Sequence, residues 1–150
     1  MFLFKGGGDT INKEIRLLNL HQNLWITNLL AKLLRKDSYW IEQASFGLSL
    51  ISYIYKLKPN VIFYSDGVVG QVLWYWRFIS KQNYKLLLSN GNAYQIKPKR
   101  MYCDHVQQLN PRDYNRALNS GLSLEKQSLL PYAINIPKTF YRLSKSKEHI

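Results

Sequence analysis

Acidic side chains are scarce in this sequence: 9 Asp and Glu stand against 21 Lys and Arg, for a formal net charge of +12. Such a surface attracts polyanions, whether nucleic acid, anionic lipid headgroups or phosphorylated substrates. A solvated basic surface with no dedicated partner fits the charge as well. Cysteine is almost missing. Cys103 stands alone, which excludes an internal disulfide and a cysteine-based metal site, and fits a reducing compartment. Long apolar runs are missing too. The densest, residues 68–79, is interrupted by Gly70, Gln71 and Arg77 and is shorter than the roughly 20 residues of a membrane span. At the start, Met1-Phe2-Leu3-Phe4 is cut off by Lys5 and three glycines, far short of a secretory h-region. The expectation is a cytoplasmic chain, soluble or peripheral to a membrane's inner face. There is no internal repeat and no low-complexity tract.

The residues that are present can build a core. Hydrophobic residues make up 46% and charged residues 20% of 150, which suits one folded domain. Aromatics reach 14%, with 11 Tyr and 4 Trp. These amphipathic rings suit cores, sugar-facing clefts and membrane interfaces.

Strand-like and helix-like segments alternate. Residues 2–4 read as a first strand running into Gly6-Gly7-Gly8-Asp9. Residues 24–34 place apolar side chains at three- and four-residue spacing and end in Arg35-Lys36, a favourable charge for a helix C-terminus. A second amphipathic helix is expected over 46–57, closed by Lys58-Pro59. Val61-Ile62-Phe63-Tyr64 reads as a strand buried on both faces, followed by a turn and cap at Ser65-Asp66-Gly67 and a helix over 68–81. Residues 85–88 form another buried strand, ending in Ser89-Asn90-Gly91-Asn92. Residues 105–109 follow as a strand. Asn110-Pro111 opens a helix with Asn at the cap and Pro in the first turn, and Gly121 closes it. Residues 128–130 are the last strand. The pattern predicts an α/β fold: a Rossmann-like three-layer domain with a mainly parallel sheet. Ligands of such sheets bind beyond the carboxyl ends of the strands, here the loops at residues 6–9, 65–67, 89–92 and 110.

Each candidate has a structural and a functional reading. Gly6-Gly7-Gly8 could let the backbone approach a phosphate or sugar oxygen, or be a flexible turn. It matches neither GxGxxG nor a P-loop. Asp66 could cap a helix or accept a proton or hydroxyl hydrogen from a bound sugar. Both roles require one free carboxylate oxygen. Ser89-Asn90-Gly91-Asn92 suits sugar recognition or a plain turn. Asp104 and His105 are adjacent, so on a strand they point to opposite faces and make a poor acid/base pair. No metal site and no Gly-x-Ser-x-Gly elbow is found. Around Trp74-Tyr75-Trp76-Arg77-Phe78, core packing ranks first, contact with anionic lipid second and nucleic acid third.

Three ordered segments resemble the glycosyltransferase family 4 and its GT-B relatives, built from two Rossmann-like domains. Lys58-Pro59-Asn60-Val61-Ile62-Phe63-Tyr64-Ser65-Asp66-Gly67 is similar to that family's Lys-Pro-Asp-hydrophobic strand. Cys103-Asp104-His105-Val106-Gln107-Gln108-Leu109-Asn110-Pro111 resembles its Ala-Asp-x-hydrophobic strand and Ser/Asn-Pro helix start. Lys126-Gln127-Ser128-Leu129-Leu130-Pro131-Tyr132-Ala133-Ile134-Asn135 resembles Lys-hydrophobic-x-hydrophobic-Pro-Asn-Gly-Val-Asp, where the acceptor domain passes into the donor domain. The sequence also departs from the family. Ser65 and residues 89–92 stand where members often carry His, and the donor-binding Glu-x7-Glu occurs nowhere.

The resemblance implies one half of a GT-B architecture: residues 1–137 as the acceptor-side domain and 138–150 as a linker or the start of a second domain. It implies retaining transfer of a sugar from a nucleotide sugar to a carbohydrate or lipid-linked acceptor, without a resident metal or other cofactor and incomplete in this chain alone. Gly6, Gly7, Gly8, Asp66, Gly67, Ser89, Asn90 and Asn92 would contact substrate, with Asp66 the catalytic candidate. Peripheral membrane contact fits this reading better than nucleic acid. The alternative is a non-catalytic basic α/β module that binds a polyanion.

Overall fold

The computed structural model describes residues 2–6, 14–91 and 101–131. The order of elements is β1 (Leu3–Lys5), β2 (Glu14–Arg16), α1 (Trp25–Leu34), α2 (Ser38–Leu57), β3 (Val61–Tyr64), α3 (Gly67–Ser80), β4 (Lys85–Asn90), β5 (His105–Gln108), α4 (Pro111–Asn119) and β6 (Gln127–Leu129), with a short 3-10 turn at Leu124–Lys126. Strands β3-β4-β5-β6 form one sheet in that order, and β1-β2 form a second, two-stranded sheet. Every pairing is parallel. This is the Rossmann-like α/β arrangement that the sequence predicts.

Parallel neighbours need a crossover, and the helices supply it: α3 links β3 to β4, and α4 links β5 to β6. The register Ile62↔Leu86 and Leu88↔Val106 puts Ile62, Tyr64, Leu86, Leu88 and Val106 on one face. That face meets Leu50 and Ile54 of α2, Val69 and Leu73 of α3, and Ala117 of α4 in one core cluster. Phe4 and Ile15 of the small sheet pack against the same cluster. On the opposite face, Val61 and Phe63 are exposed, so β3 is covered on one face and not on both as the sequence predicts.

Three helices, α2, α3 and α4, are fixed at their starts by side chains. Asp37 caps α2 by accepting from the Trp40 N–H at 2.6 Å, so that helix begins eight residues before the expected one. Asn110 caps α4, accepting from the Asp113 N–H at 2.8 Å. The ends of α1, α2 and α3 are less usual. Arg35, Lys58 and Lys81 are the C-caps, with φ of 52°, 45° and 53°. A left-handed non-glycine residue costs about 1–2 kcal/mol. A cation there offsets part of that cost against the helix dipole.

The amino edge of the sheet is locked by charge. Arg77 on α3 donates to the Tyr84 carbonyl at 2.9 Å and to Asp104 Oδ2 at 2.5 Å, and its guanidinium lies 4.4 Å from the Trp74 ring centroid. The same Asp104 oxygen accepts from the Leu86 N–H at 2.7 Å. Burial pushes the Asp104 carboxyl up, but the bonds from Arg77 and Leu86 and the charges of Arg77 and Lys85 outweigh it and hold it below the usual carboxylate range. His105 turns away, to the Glu125 carbonyl at 3.2 Å and Ser128 Oγ at 3.1 Å. Asp104 and His105 are therefore separate staples, as strand alternation requires.

Cys103 is buried beside this lock. Burial, more than any other influence, pushes its thiol up to about 11. The folded chain thus keeps this proton to higher pH than the unfolded chain does. The resulting stabilisation is complete below the ordinary thiol range and is lost as pH rises through about 11.

Candidate functional site

The carboxyl edge of the large sheet gathers the residues that follow β3, β4 and β5. The register Tyr64↔Leu88 and Asn90↔Gln108 brings Ser65-Asp66, Asn90-Gly91 and Leu109-Asn110 to the same end. The starts of α3 and α4 lie there too, because each helix follows its strand after a two-residue connection. Helix starts concentrate unpaired backbone N–H groups. Here most of the first-turn donors are taken by the chain itself.

Asp66 shows how. Its Oδ1 accepts from the Val68 N–H at 2.8 Å and the Val69 N–H at 3.1 Å, which makes it the cap of α3. Its Oδ2 accepts from the Tyr39 hydroxyl at 2.5 Å. Each oxygen thus already has a donor from the chain. A ligand would have to use a remaining lone pair or displace Tyr39. Gly67 is exposed, with open space where a Cβ would stand.

Ser89 and Asn90 do not form the polar turn expected after β4. The strand continues through both, because they pair with Gln107 and Gln108. Their burial is nearly complete, at 1% and 5% exposure. Asn90 Nδ2 donates to Gln108 Oε1 at 2.8 Å, and Gln108 Nε2 donates to Gln127 Oε1 at 3.1 Å. The result is a buried row of three amides across β4, β5 and β6. Gln127 Nε2 ends it as a buried donor with no acceptor among the described residues. Sequence reading passed over Gln107, Gln108 and Gln127. The available signal was paired Gln at the end of a short strand, next to a Pro-started helix.

Gly6 follows β1 and sits tightly against the chain. A Cβ there would lie 2.9 Å from Asn19 Nδ2 and 3.3 Å from the Phe46 ring. Its missing side chain admits Asn19, whose amide donates to Glu42 at 3.1 Å. Gly7, Gly8 and Asn92 lie outside the described residues.

Two cavities open at the other end of the sheet. One, of about 310 Å³, is lined by Trp74, Met101, Cys103, Leu122, Ser123 and Lys126. The other, of about 250 Å³, lies beside Arg77, Phe78, Tyr84 and Asp104. Both border the amino-edge lock, whereas Asp66, Gly67, Ser89 and Asn90 lie at the carboxyl edge. Among the described residues no group of three His, Cys, Asp or Glu could hold a metal ion.

The class defined by this geometry is a Rossmann-like α/β domain with a polar carboxyl edge. No protein family, curated protein or solved structure matches the chain.

Proposed function

We propose that this domain is the acceptor-side half of a sugar transferase of the GT-B kind, and that its carboxyl edge holds the acceptor. The observation that supports the reading is the meeting of Asp66, Asn90 and Asn110 at one end of a parallel sheet, Asp66 and Asn110 on the connections after β3 and β5 and Asn90 at the last position of β4. Open parallel sheets bind ligands at that end. The three ordered sequence motifs supply the chemistry of the ligand. Donor and acceptor would be a nucleotide sugar and a carbohydrate or lipid-linked acceptor. A second domain would complete the reaction by binding the nucleotide.

In this reading, Asp66 orients an acceptor hydroxyl through Oδ2 once Tyr39 gives way, while Oδ1 keeps α3 capped. A substitution can separate the two roles. Ser is as good an N-cap as Asp but lacks the second oxygen and the charge. Asp66→Ser should leave the thermal midpoint nearly unchanged. In calorimetric titration against a panel of sugar phosphates and short saccharides, it should weaken binding about tenfold, the loss of one charge-assisted hydrogen bond. Binding equal to that of the original chain would reduce Asp66 to a helix cap. The rival reading, a basic module for polyanions, predicts instead tight RNA or DNA binding that falls steeply with salt.

A further inference from the structure

Helix α1 is docked the wrong way round for a core helix. Thr27 and Ala31, one turn apart, are its buried positions, with 0% and 7% exposure. Thr27 is fixed by donating to the His21 carbonyl at 2.9 Å. Trp25, Leu29 and Leu33 follow each other at four-residue spacing and therefore share a face. They are 72%, 57% and 76% exposed. At about 100° per residue this row lies nearly opposite the Thr27/Ala31 row. Ile26 widens it, and Leu18 and Leu24 expose further apolar surface before the helix.

The charge around this row has one sign. Residues 17–36 contain no Asp or Glu, and Lys32, Arg35 and Lys36 stand on or just after the helix. The nearest carboxylates are engaged within the chain. Asp37 caps α2, and Glu42 accepts from Asn19 and from the Gln22 N–H.

From this combination we infer that α1 is a docking element for an anionic lipid bilayer. It would lie in the interface with Trp25, Leu29 and Leu33 among the acyl chains and Lys32, Arg35 and Lys36 at the headgroups. An apolar row flanked by cations, with an aromatic ring at one end, is the pattern of an in-plane membrane helix. No described helix is long and apolar enough to cross a membrane, so this contact is peripheral. Its location differs from the aromatic segment of α3, where Trp74 and Arg77 are committed to the amino-edge lock. The inference does not depend on the sugar-transfer reading.

Co-sedimentation of the whole chain with vesicles tests it. The chain should bind vesicles of phosphatidylglycerol mixed with phosphatidylcholine and ignore phosphatidylcholine alone. Trp fluorescence should shift to the blue on binding, and Trp25→Phe should remove most of that shift. Leu29→Glu with Leu33→Glu changes two exposed positions, so the thermal midpoint should hold while vesicle affinity falls at least about tenfold. Lys32→Glu with Arg35→Glu is an independent check and should cost about fivefold per charge. Three results would overturn the inference: no vesicle binding by the original chain, vesicle binding indifferent to all of these substitutions, or a dimer in solution that the leucine substitutions split into monomers without any lipid binding.

Discussion

Gly70→Ala should destabilise the domain by about 3 kcal/mol and lower the thermal midpoint by about 10 °C. The cause is a single collision. Gly70 lies in the first turn of α3, directly over the last residue of β3. A Cβ added there would stand 2.5 Å from the Tyr64 hydroxyl oxygen and 2.6 Å from Cζ of its ring. Tyr64 cannot swing away freely. Its hydroxyl donates to the Tyr102 carbonyl at 2.8 Å, and its ring packs against the core cluster. Burial, above all other influences, pushes its phenol well above the ordinary range. Alanine normally favours a helix over glycine by about 1 kcal/mol, so propensity predicts the opposite sign. Differential scanning calorimetry decides between them. In a Tyr64→Leu background the same substitution should cost little, and the double-mutant cycle should show that the two sites are coupled.

Gln108→Leu should cost about 2–4 kcal/mol, although it preserves volume and removes a polar group from a fully buried site. Gln108 is 0% exposed and bonds to an amide on either side. Its replacement leaves Asn90 Nδ2 and Gln127 Oε1 buried without partners, each at about 1–3 kcal/mol. Gln127 Nε2 already lacks a partner among the described residues, so a neighbour cannot readily absorb the loss. Replacing all three amides with Leu should recover most of the stability, because apolar substitutes leave no polar group stranded. Chemical denaturation of the single and triple variants measures both effects. A single variant as stable as the original would show that the row is not closed as described.

Most of the frame was legible from residue pattern. Val61-Ile62-Phe63-Tyr64 is a strand with the predicted bounds, and α3, α4 and the Asn110 cap fall where turn and cap chemistry put them. The failures have physical causes. Strand β2 is three residues long with two of them charged, so no periodicity announces it. Ser89 and Asn90 read as a turn because small polar residues favour turns. A neighbouring strand with Gln107 and Gln108 in register turned them into a buried ladder, which only tertiary contact reveals. In α1 the spacing showed an apolar face but not which side would be covered. The small Thr27 and Ala31 allow closer approach than the leucines, and they won the packed side. Asp66 was readable as the cap ahead of α3, but its partner was not. Nothing in the sequence links Tyr39 to Asp66.

In the proposed function the carboxyl edge of the sheet, not the cavities of the amino edge, receives a saccharide. Amide chemical-shift mapping of the labelled chain during titration with sugar phosphates and short oligosaccharides tests it most directly. The predicted result is a cluster of shifts at Ser65, Gly67, Gly91 and Asn110. Shifts confined to Trp74, Met101, Ser123 and Lys126, or no saturable shift with any saccharide, would contradict it.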